Sequence, residues 1–464
     1  MQLKRGQIIE FDIDSIAFGG QGVGRYEGRA VFVNGVMGGD RVRASLRRIK
    51  EKFMEAELVE VVRGSSDRVA PRCEYFDRCG GCSFQFMPYE KQLEIKKQQV
   101  VDAFERIGGV VSPPVEDVVA CEEPYYYRNK MEFSFGYDGE MNFALGMHLP
   151  GRRYDILNLE NCYLMSEKSA EILNFVRGVC VRNGWLPFKF SVGEGFLRLL
   201  TVREGKRTGE LMVVMATSDD LPEGFDSGLE EIADGLREFG VTSFYWSQII
   251  SKRGVPRRVK EQLVFGKKFL SEVLRLEATA TAGQGGDELK FEILPQAFFQ
   301  VNTYQAEKLY AEVIKMVEAG HHKTVFDLYC GTGTIGMFVA KHAEQVWGIE
   351  LVEDAVRAAR ENASKNAVFN IDFFVGDVDK VLHNLRERPD LIIVDPPRAG
   401  IAKKVVAKLS EFGANEIIYV SCNPATLARD CALLREYGYR VEKIVPVDMF
   451  PHTYHIENVC LLKR

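Results

Sequence analysis

Residues 325–336 read VFDLYCGTGTIG, an apolar strand that runs at once into a glycine-rich turn and the start of a helix. Glycines at such a place let the backbone approach a ligand at the helix N-terminus. The next strand-like stretch ends in Glu350, an acid placed to accept hydrogen bonds from ribose hydroxyls. The spacing Gly331-x-Gly333-x-x-Gly336 also satisfies the dinucleotide fingerprint. The stretch therefore predicts a nucleotide site and, by itself, leaves NAD and S-adenosylmethionine open.

Strand-like and helix-like stretches alternate around this turn from about residue 291 to the C-terminus. Five stretches have strand character and two have helix character, namely 325–330, 345–350, 371–376, 391–397 and 416–422, and then 354–366 and 403–413. This alternation is typical of a doubly wound parallel sheet, which binds its ligand at the carboxyl ends of its strands. We therefore expect a C-terminal α/β Rossmann-like domain over residues 291–464.

The fourth of these strands ends in the sequence Asp395-Pro-Pro-Arg398. An acid followed by two prolines forms a rigid loop at the carboxyl edge of the sheet. It is similar to the motif with which nucleic-acid base methyltransferases hold a target base beside the methyl donor, whereas a dehydrogenase has no use for it. An ordinary strand end that stops at proline is the simpler interpretation of this motif alone. Together with the glycine-rich turn, the motif favours S-adenosylmethionine over NAD.

The fifth strand ends in VSCNP, residues 420–424, on the same edge of the sheet as Asp395. Carbon 5 of uracil is a poor nucleophile, but a thiolate that adds to carbon 6 turns the ring into an enolate whose carbon 5 can attack a methyl sulfonium. A base must then remove the proton on carbon 5 so that the thiol is eliminated. Cys422 is the candidate nucleophile, and Glu457, near the start of the last strand, is the candidate base. Taken singly, a buried thiol and a surface carboxylate are the simpler interpretations.

The first 64 residues read as short strands separated by glycine turns, with alternating apolar and polar positions. This pattern predicts a small OB-like β-barrel of the size that binds oligonucleotides. Residues 88–109 have the apolar periodicity of a helix. From about 124 to 290, strands at hairpin spacing, interrupted by one helix at 166–183, predict an α+β domain with an antiparallel sheet. With the last boundary in the stretch 276–293, we expect three units, 1–64, 65–290 and 291–464.

Three of the ten cysteines, Cys73, Cys79 and Cys82, fall within ten residues of one another. In a reducing compartment, scattered cysteines are buried thiols by default, but a close group indicates a metal site. Thiolates suit both zinc and iron–sulfur clusters. The spacing alone therefore leaves the two metals open, and a group of free thiols is the simplest alternative.

The chain of 464 residues carries a net charge of −6, which argues mildly against a protein coated in nucleic acid. Phosphate binding needs only local basic patches, and two are present, at 41–52 and 251–260, although either could be a solvated face. No apolar run reaches the ~18 residues of a membrane span, and the first residues lack the apolar core of a signal peptide. We therefore expect a cytoplasmic protein.

Five motifs along the chain carry a resemblance to a known family, namely FFQVN, DLYCGTGTIG, DPPRAG, SCNPATLARD and FPHTYHIE. Together they resemble the RNA uracil-5-methyltransferase family, over nearly the whole chain. The cysteine spacing and the N-terminal barrel resemble its 23S ribosomal RNA branch, whose members carry a TRAM domain and an iron–sulfur cluster. The resemblance implies an enzyme that methylates carbon 5 of a uridine in 23S ribosomal RNA, with S-adenosylmethionine as donor, no membrane association and no obligate protein partner.

The resemblance also implies roles for individual residues. Cys422 would be the nucleophile and Glu457 the base. The donor would contact Gln300, Tyr329, Glu350 and Asp395, with Thr334 as a further polar contact and Asp377 near the adenine. Phe299 would stack on the extruded uracil, which must leave its RNA stack to react. The metal ligands would be Cys73, Cys79, Cys82 and Cys162, around a 4Fe-4S cluster rather than zinc.

Other functions stay open at the level of sequence. An NAD-dependent dehydrogenase would leave the motifs at 395–398 and 420–424 without a purpose, and a purely RNA-binding protein would need neither Cys422 nor Glu457. An amino-directed base methyltransferase needs no cysteine nucleophile. The tRNA-modifying branch shares the catalytic motifs but usually lacks the barrel and the cysteine group, so ribosomal RNA is favoured. The sequence identifies neither the uridine nor the oligomeric state.

Overall fold

The computed structural model of the protein describes residues 3–189, 192–250, 258–276, 287–320 and 322–464. Two features of the sequence fall partly outside these ranges. Most of the second basic patch, residues 251–257, is not among them, and neither are residues 277–286 of the expected boundary stretch. Among the described residues, no helix combines the length and the apolar content that crossing a bilayer requires.

A closed five-stranded barrel forms the N-terminal part of the chain, in the order β1-β2-β3-β5-β4. Its strands are β1 (Ile8–Ile16), β2 (Gly22–Tyr26), β3 (Arg29–Val33), β4 (Arg41–Ile49) and β5 (Phe53–Arg63). Alternate side chains such as Ile9, Phe11 and Ile13 fill its interior, as the period of two along a strand requires. The predicted barrel is confirmed.

The first basic patch lies on β4, and its arginines are paired with acids of the neighbouring strands. Arg41 and Arg43 both donate to Glu10, at 2.8 and 3.0 Å, and Arg47 pairs with Glu57. Exposed pairs of this kind contribute little to stability, but they cancel charge locally. The patch therefore offers less positive charge to RNA than the sequence indicates.

The central part of the chain forms a seven-stranded sheet in the order β12-β11-β10-β9-β6-β7-β8. Its elements, with the helix that precedes them, are α1 (Tyr89–Arg106), β6 (Lys130–Tyr137), β7 (Phe143–Leu149), β8 (Arg152–Asn158), α2 (Glu167–Arg182), β9 (Leu197–Glu204), β10 (Leu211–Thr217), α3 (Phe225–Glu238), β11 (Ser243–Ile250) and β12 (Arg258–Gly266). The helices expected at 88–109 and 166–183 are present as α1 and α2.

The expectation of an antiparallel sheet is wrong for β10 and β11, and also for a single residue pair that joins β6 to β8. Strands β10 and β11 run parallel, with Met212 opposite Ser243, and helix α3 connects them. A parallel pair needs a crossover connection, and a helix usually supplies it. Helix α3 was not predicted, although Phe225, Leu229, Ile232 and Leu236 recur at helical spacing. Proline and glycine stand just before it, and two further glycines lie within it.

The C-terminal part of the chain is a second seven-stranded sheet, in the order β17-β16-β15-β18-β19-β21-β20. Before it come a hairpin and a helix, β13 (Leu270–Leu276), β14 (Asp287–Ile293) and α4 (Thr303–Glu318). Its own elements are β15 (His322–Leu328), α5 (Thr334–Val339), β16 (Ala343–Glu350), α6 (Glu353–Lys365), β17 (Ile371–Val375), α7 (Val378–Asn384), β18 (Leu391–Val394), α8 (Lys403–Phe412), β19 (Glu416–Ser421), α9 (Pro424–Arg435), β20 (Arg440–Val447) and β21 (Glu457–Lys463).

Five strands of this sheet, β15 to β19, run parallel and confirm the predicted Rossmann-like fold. Strand β21 departs from the expected all-parallel sheet, because it lies antiparallel between β19 and β20. An antiparallel strand begins at the edge where its parallel neighbours end. The start of β21 therefore lies at the edge where a ligand would bind.

Helix α1 packs on this C-terminal sheet. Its Val100 and Phe104 are buried in the same apolar cluster as Leu427 and Leu434 of α9. Residues 115–119 also pair with β20 through isolated bridges. The segment that follows the cysteine group is therefore attached to the C-terminal sheet before the chain enters the central one.

Candidate active site

A crevice is expected where the strand order of an open parallel sheet reverses, and here that point lies between β15 and β18. Tyr329 follows β15, and Asp395 follows β18. The neighbouring strands β16 and β19 carry Glu350 and Cys422 at their carboxyl ends. The structure thus brings these four predicted site residues to one edge of the sheet.

The glycine-rich turn holds a conformation that few residues adopt. Gly331 and Gly333 have φ of 55° and 75°, and Tyr329 has φ of 62° although it carries a side chain. A left-handed residue other than glycine costs about 1–3 kcal/mol and is held in place by its surroundings, often at a functional site. The backbone N–H of Gly331 donates to Glu350 Oε2 at 3.1 Å, and that of Val352 donates to Oε1 at 2.9 Å. The Glu350 carboxylate is therefore fixed, with lone pairs left for a ligand.

The floor of the crevice is acidic. Asp327, at the end of β15, is buried, and both of its carboxylate oxygens lack a hydrogen-bond partner among the described residues. Burial, and then the charge of Asp395, raise the pKa of Asp327 to about 8, and burial raises the pKa of Asp395 to about 7. Carboxyls in this situation gain stability from a cation placed beside them. The crevice therefore fits a positively charged ligand such as the sulfonium of S-adenosylmethionine.

Cys422 and Glu457 emerge side by side from adjacent strands. Ser421 of β19 is paired with Asn458 of β21, so the next residue of one strand lies beside the preceding residue of the other. Burial, and then the Glu457 carboxylate, raise the pKa of the Cys422 thiol to about 11. Burial, and then Asp395, raise the pKa of Glu457 well above its usual value. A thiol and a carboxyl in contact with the same crevice can serve as nucleophile and base.

Arg398 is the cation beside this pair, and sequence reasoning gave it no role. Its charge lowers the pKa of both Cys422 and Glu457, opposing the effect of burial. Its carbonyl oxygen accepts hydrogen bonds from Asn423 Nδ2 at 3.3 Å and from Thr426 Oγ1 at 3.4 Å, which tie the loop after β18 to the start of α9. A planar guanidinium can hold a developing oxyanion. The signal that could have identified Arg398 was the DPPR motif itself.

The loop between β20 and β21, residues 448–456, leads to Glu457 and is anchored by buried polar groups of α1. Lys96 Nζ donates to Asp448 Oδ1 at 2.5 Å, and both side chains are 0% exposed. Lys96 also donates to the carbonyl of Phe450 at 3.1 Å, and the Tyr89 hydroxyl donates to Asp448 Oδ2 at 2.9 Å. The loop that positions Glu457 therefore has a fixed conformation.

The predicted donor contact Gln300 lies just before α4, beside the same loop. Its carbonyl oxygen accepts a hydrogen bond from Asn129 Nδ2 at 2.8 Å. Two residues later, Asn302 caps α4 and donates through Nδ2 to the carbonyl of Met449 at 3.2 Å. Asn129, just before β6, therefore holds the backbone of Gln300, and Asn302 ties the same segment to the loop before Glu457.

The remaining predicted residues, Thr334, Asp377 and Phe299, differ in their position relative to the crevice and in their burial. Thr334 begins α5, with its hydroxyl 3.4 Å from that of Thr332, and Asp377 caps α7 just beyond the end of β17. Phe299 is 7% exposed and packs against Phe291, with ring centroids 5.6 Å apart. Phe299 is therefore mostly buried in this conformation, and its stacking on an extruded uracil stays a prediction. Its neighbour Phe298, 70% exposed, is the ring that a base could reach.

The four predicted metal cysteines, Cys73, Cys79, Cys82 and Cys162, line one pocket between the cysteine loop and the central sheet. Burial raises the pKa of Cys79 to about 11 and that of Cys82 to about 12. Within the described ranges, no three His, Cys, Asp or Glu side chains converge closely enough to hold a single metal ion. The structure therefore brings the thiols to one pocket without gathering them around one point.

Two family models match the chain. A model described as tRNA (uracil-5-)-methyltransferase matches residues 88–464, and a TRAM domain model matches residues 2–59. The first covers the cysteine pocket in part, the central sheet and the whole crevice. The second covers the barrel.

Similar proteins extend over the full length of the chain. An uncharacterized RNA methyltransferase of Caldanaerobacter subterraneus subsp. tengcongensis is 37% identical to this chain. The alignment covers 100% of both proteins. Another, of Clostridium acetobutylicum, is 38% identical over 100% of this chain and 99% of its own. The crystal structure of Pyrococcus abyssi tRNA (uracil-54, C5)-methyltransferase in complex with S-adenosyl-L-homocysteine is 30% identical. It superposes with a TM-score of 0.75 over 98% of this chain and 100% of its own.

Proposed function

Because the chain belongs to the tRNA (uracil-5-)-methyltransferase family, we propose that it methylates carbon 5 of a specific uridine in 23S ribosomal RNA, with S-adenosylmethionine as donor. One observation carries the proposal. Cys422 and Glu457 adjoin on antiparallel strands at the edge that also holds Asp395 and the glycine-rich turn. A dehydrogenase or a purely RNA-binding protein has no use for this pair, and neither has an amino-directed methyltransferase.

The proposed reaction follows from the groups in the crevice. The donor, when bound, supplies an electrophilic methyl group on a cationic sulfur. The thiolate of Cys422 adds to carbon 6 of the uracil, and Arg398 stabilises the negative charge that moves to the carbonyl oxygen. Carbon 5 then forms its bond to the methyl group while the bond between that methyl group and the donor sulfur breaks, and S-adenosylhomocysteine, now a neutral thioether, is left. The carboxylate of Glu457 accepts the proton from carbon 5, the carbon–sulfur bond at carbon 6 breaks, and Cys422 is released.

The raised pKa values of Glu457 and Cys422 affect the proposed reaction in two ways. A base with a raised pKa is a stronger proton acceptor once it is ionised, which suits Glu457. A thiol with a pKa of about 11 is mostly protonated near neutral pH, so Cys422 needs help to ionise. Arg398 and a cationic donor both favour the thiolate. Binding of the donor would therefore prepare the nucleophile.

For the donor we propose contacts with Gln300, Tyr329, Glu350 and Asp395, and weaker ones with Thr334 and Asp377. Two observations support this part. The fixed Glu350 carboxylate suits ribose hydroxyls, and the Asp327 and Asp395 carboxyls suit the sulfonium. For the base of the extruded uridine we propose Phe299, with the neighbouring Phe298, which is exposed, as the alternative ring.

For the cysteine pocket we propose a 4Fe-4S cluster, held by Cys73, Cys79, Cys82 and Cys162, rather than a zinc ion. Four thiolates around one zinc ion lie at ~2.3 Å from it, and hence about 3.8 Å from each other. The four thiols share a pocket. Among the described residues, however, no three of them lie close enough together to bind one metal ion. A cluster spreads its ligands farther apart and suits that arrangement. The cluster would have a structural role.

A second target, transfer RNA, deserves an explicit test. The Pyrococcus abyssi protein acts on tRNA and matches this chain over its full length, so the barrel does not by itself separate the two RNA classes. Our preference for 23S ribosomal RNA rests on the resemblance of the cysteine group. We further propose that 1–64 and 65–290 select the RNA, that 291–464 performs the chemistry, and that the protein works in the cytoplasm without an obligate partner.

The target is tested with purified enzyme, labelled S-adenosylmethionine and two unmodified transcripts, 23S ribosomal RNA and a tRNA mixture. We expect labelled 5-methyluridine in the ribosomal transcript alone, identified by mass spectrometry of nucleosides. Label in tRNA alone would establish the second target and overturn the first. Label in a nucleoside other than 5-methyluridine would contradict the proposed reaction.

A further inference from the structure

An arginine next to the cysteine pocket is surrounded by tyrosines. The guanidinium carbon of Arg72 lies 4.9 Å from the ring centroid of Tyr125, 5.1 Å from that of Tyr126 and 4.8 Å from that of Tyr163. Its Nη2 donates to the Tyr126 hydroxyl at 3.0 Å. Arg72 itself is exposed, and the three rings are half-buried. The rings therefore hold the cation in a defined position at the surface.

Arg72 differs from the arginines of β4 in having no acidic partner among the described residues. Within the part of the chain that the structure describes, it makes no ion pair, whereas Arg41, Arg43 and Arg47 are all paired with glutamates. A guanidinium has five N–H donors, and one of those of Arg72 bonds to a tyrosine. Its remaining donors are free for phosphate oxygens, and the side chain, exposed at the surface, is within reach of a base.

The cluster also lies close to the loop that positions Glu457. The Tyr125 ring packs on that of His452, with centroids 4.2 Å apart, and the Tyr127 hydroxyl donates to the carbonyl of Pro451 at 3.2 Å. His452 and Pro451 belong to residues 448–456, which run directly into β21. An RNA strand whose uridine enters the crevice must pass near this loop.

We propose that Arg72, Tyr126 and Tyr163 form a stacking platform for a nucleotide of the substrate RNA that flanks the extruded uridine. Bases of single-stranded RNA commonly stack on aromatic rings and on arginine planes, and a cation beside the rings attracts the phosphates. The partner follows from this chemistry, and the inference rests on the proposed function only for the identity of the RNA. Arg72 would act in binding and not in the methyl transfer itself.

The test is the dissociation constant of a fluorescein-labelled fragment of the transcript that the wild-type enzyme methylates. We expect Arg72→Ala to raise this constant about tenfold, since stacking on one side chain is worth that much per base. The slope of log affinity against log salt should fall by about 0.7, the value for one phosphate contact on a single strand. Binding of S-adenosylhomocysteine and the thermal midpoint should not change.

Arg78→Ala is the matched control, because Arg78 lies in the same loop but faces the carboxylate of Asp77, 3.9 Å away. Arg78 lies over a single ring, that of Tyr75, at the longer distance of 5.9 Å. The Arg78→Ala variant should bind the RNA like wild type. Single abasic substitutions beside the target uridine identify the stacked base. At one position, removal of the base should weaken RNA binding by the wild-type protein but not by Arg72→Ala. This result is required if Arg72 and that base contact each other.

Equal affinity of wild type and Arg72→Ala for the fragment overturns the platform. If Arg72→Ala lowers the thermal midpoint, the Arg72→Lys variant separates a loss of stability from a loss of the RNA contact. Lysine keeps the positive charge but has no planar group on which a base can stack. A stable Arg72→Lys with weakened binding supports the platform, and one that binds like wild type overturns it. Failure of the wild type to methylate either RNA class would instead contradict the proposed function.

Discussion

Replacing Cys422 by alanine is expected to lower the rate of methyl transfer by more than about 10³-fold, with little change in the affinity for S-adenosylhomocysteine. Without the thiolate, carbon 5 of the uracil is not activated. The other thiol at this edge, Cys330, packs against the apolar cluster under the sheet and does not adjoin Glu457. The donor contacts lie on other strands and stay in place. The measurement is a single-turnover rate with labelled donor, together with the dissociation constant of S-adenosylhomocysteine by calorimetry.

Cys431→Ala is the matched control, because Cys431 is buried on α9, which begins directly after the Cys422 loop, and packs away from the crevice. Its variant should methylate at a rate close to that of wild type. Full activity in Cys422→Ala would contradict the cysteine mechanism and favour an amino-directed methyltransferase. A loss of S-adenosylhomocysteine binding as large as the loss of rate would assign Cys422 to the donor site instead.

Replacing Lys96 by methionine is expected to lower the free energy of unfolding by about 3–5 kcal/mol, the usual result of leaving one charge of a buried pair without its partner. Asp448 is fully buried, and Lys96 supplies its charged contact at 2.5 Å. The remaining hydrogen bonds to Asp448 come from neutral groups, the Tyr89 hydroxyl and the backbone N–H of Phe450, and do not compensate a negative charge. Urea unfolding of the two proteins, followed by circular dichroism, measures the difference.

The adjacent residue of the same helix provides the control. Lys97 pairs with Asp117, whose side chain is 97% exposed, so Lys97→Met should cost about 1 kcal/mol or less. Adding Asp448→Asn to Lys96→Met should restore much of the lost stability, because the double variant buries no isolated charge. A Lys96→Met protein as stable as the Lys97→Met protein would show that the buried pair does not hold the loop.

The chemistry-bearing edge of the sheet was predictable because its residues follow the ends of strands whose apolar character is strong. A strand of this kind comes directly before the glycine-rich turn, before Asp395 and before Cys422. Parallel strands place their carboxyl ends at the same edge of the sheet. The antiparallel direction of β21 was not predictable, since no local signal distinguishes it from a parallel strand. Yet this direction is what places Glu457 beside Cys422.

The parts that sequence reasoning missed depend on contacts between residues that are far apart in the chain. Lys96 and Asp448 are separated by 352 positions, and each alone resembles a surface charge. Phe298 and Phe299 are adjacent and chemically identical, and only packing against Phe291 decides which one is buried. The arginines of β4 looked like an RNA-binding patch until their partners on other strands became visible.

The central claim is that Cys422 bonds to carbon 6 of the uridine and that Glu457 ends the reaction. The direct test is Glu457→Gln, incubated with RNA and S-adenosylmethionine, denatured and digested for mass spectrometry. The account predicts a stable adduct in which the peptide containing Cys422 carries a uridine methylated at carbon 5, because the proton on carbon 5 cannot be removed and the thiol cannot leave. The account would be contradicted by free 5-methyluridine produced at the wild-type rate without an adduct, or by an adduct on another cysteine.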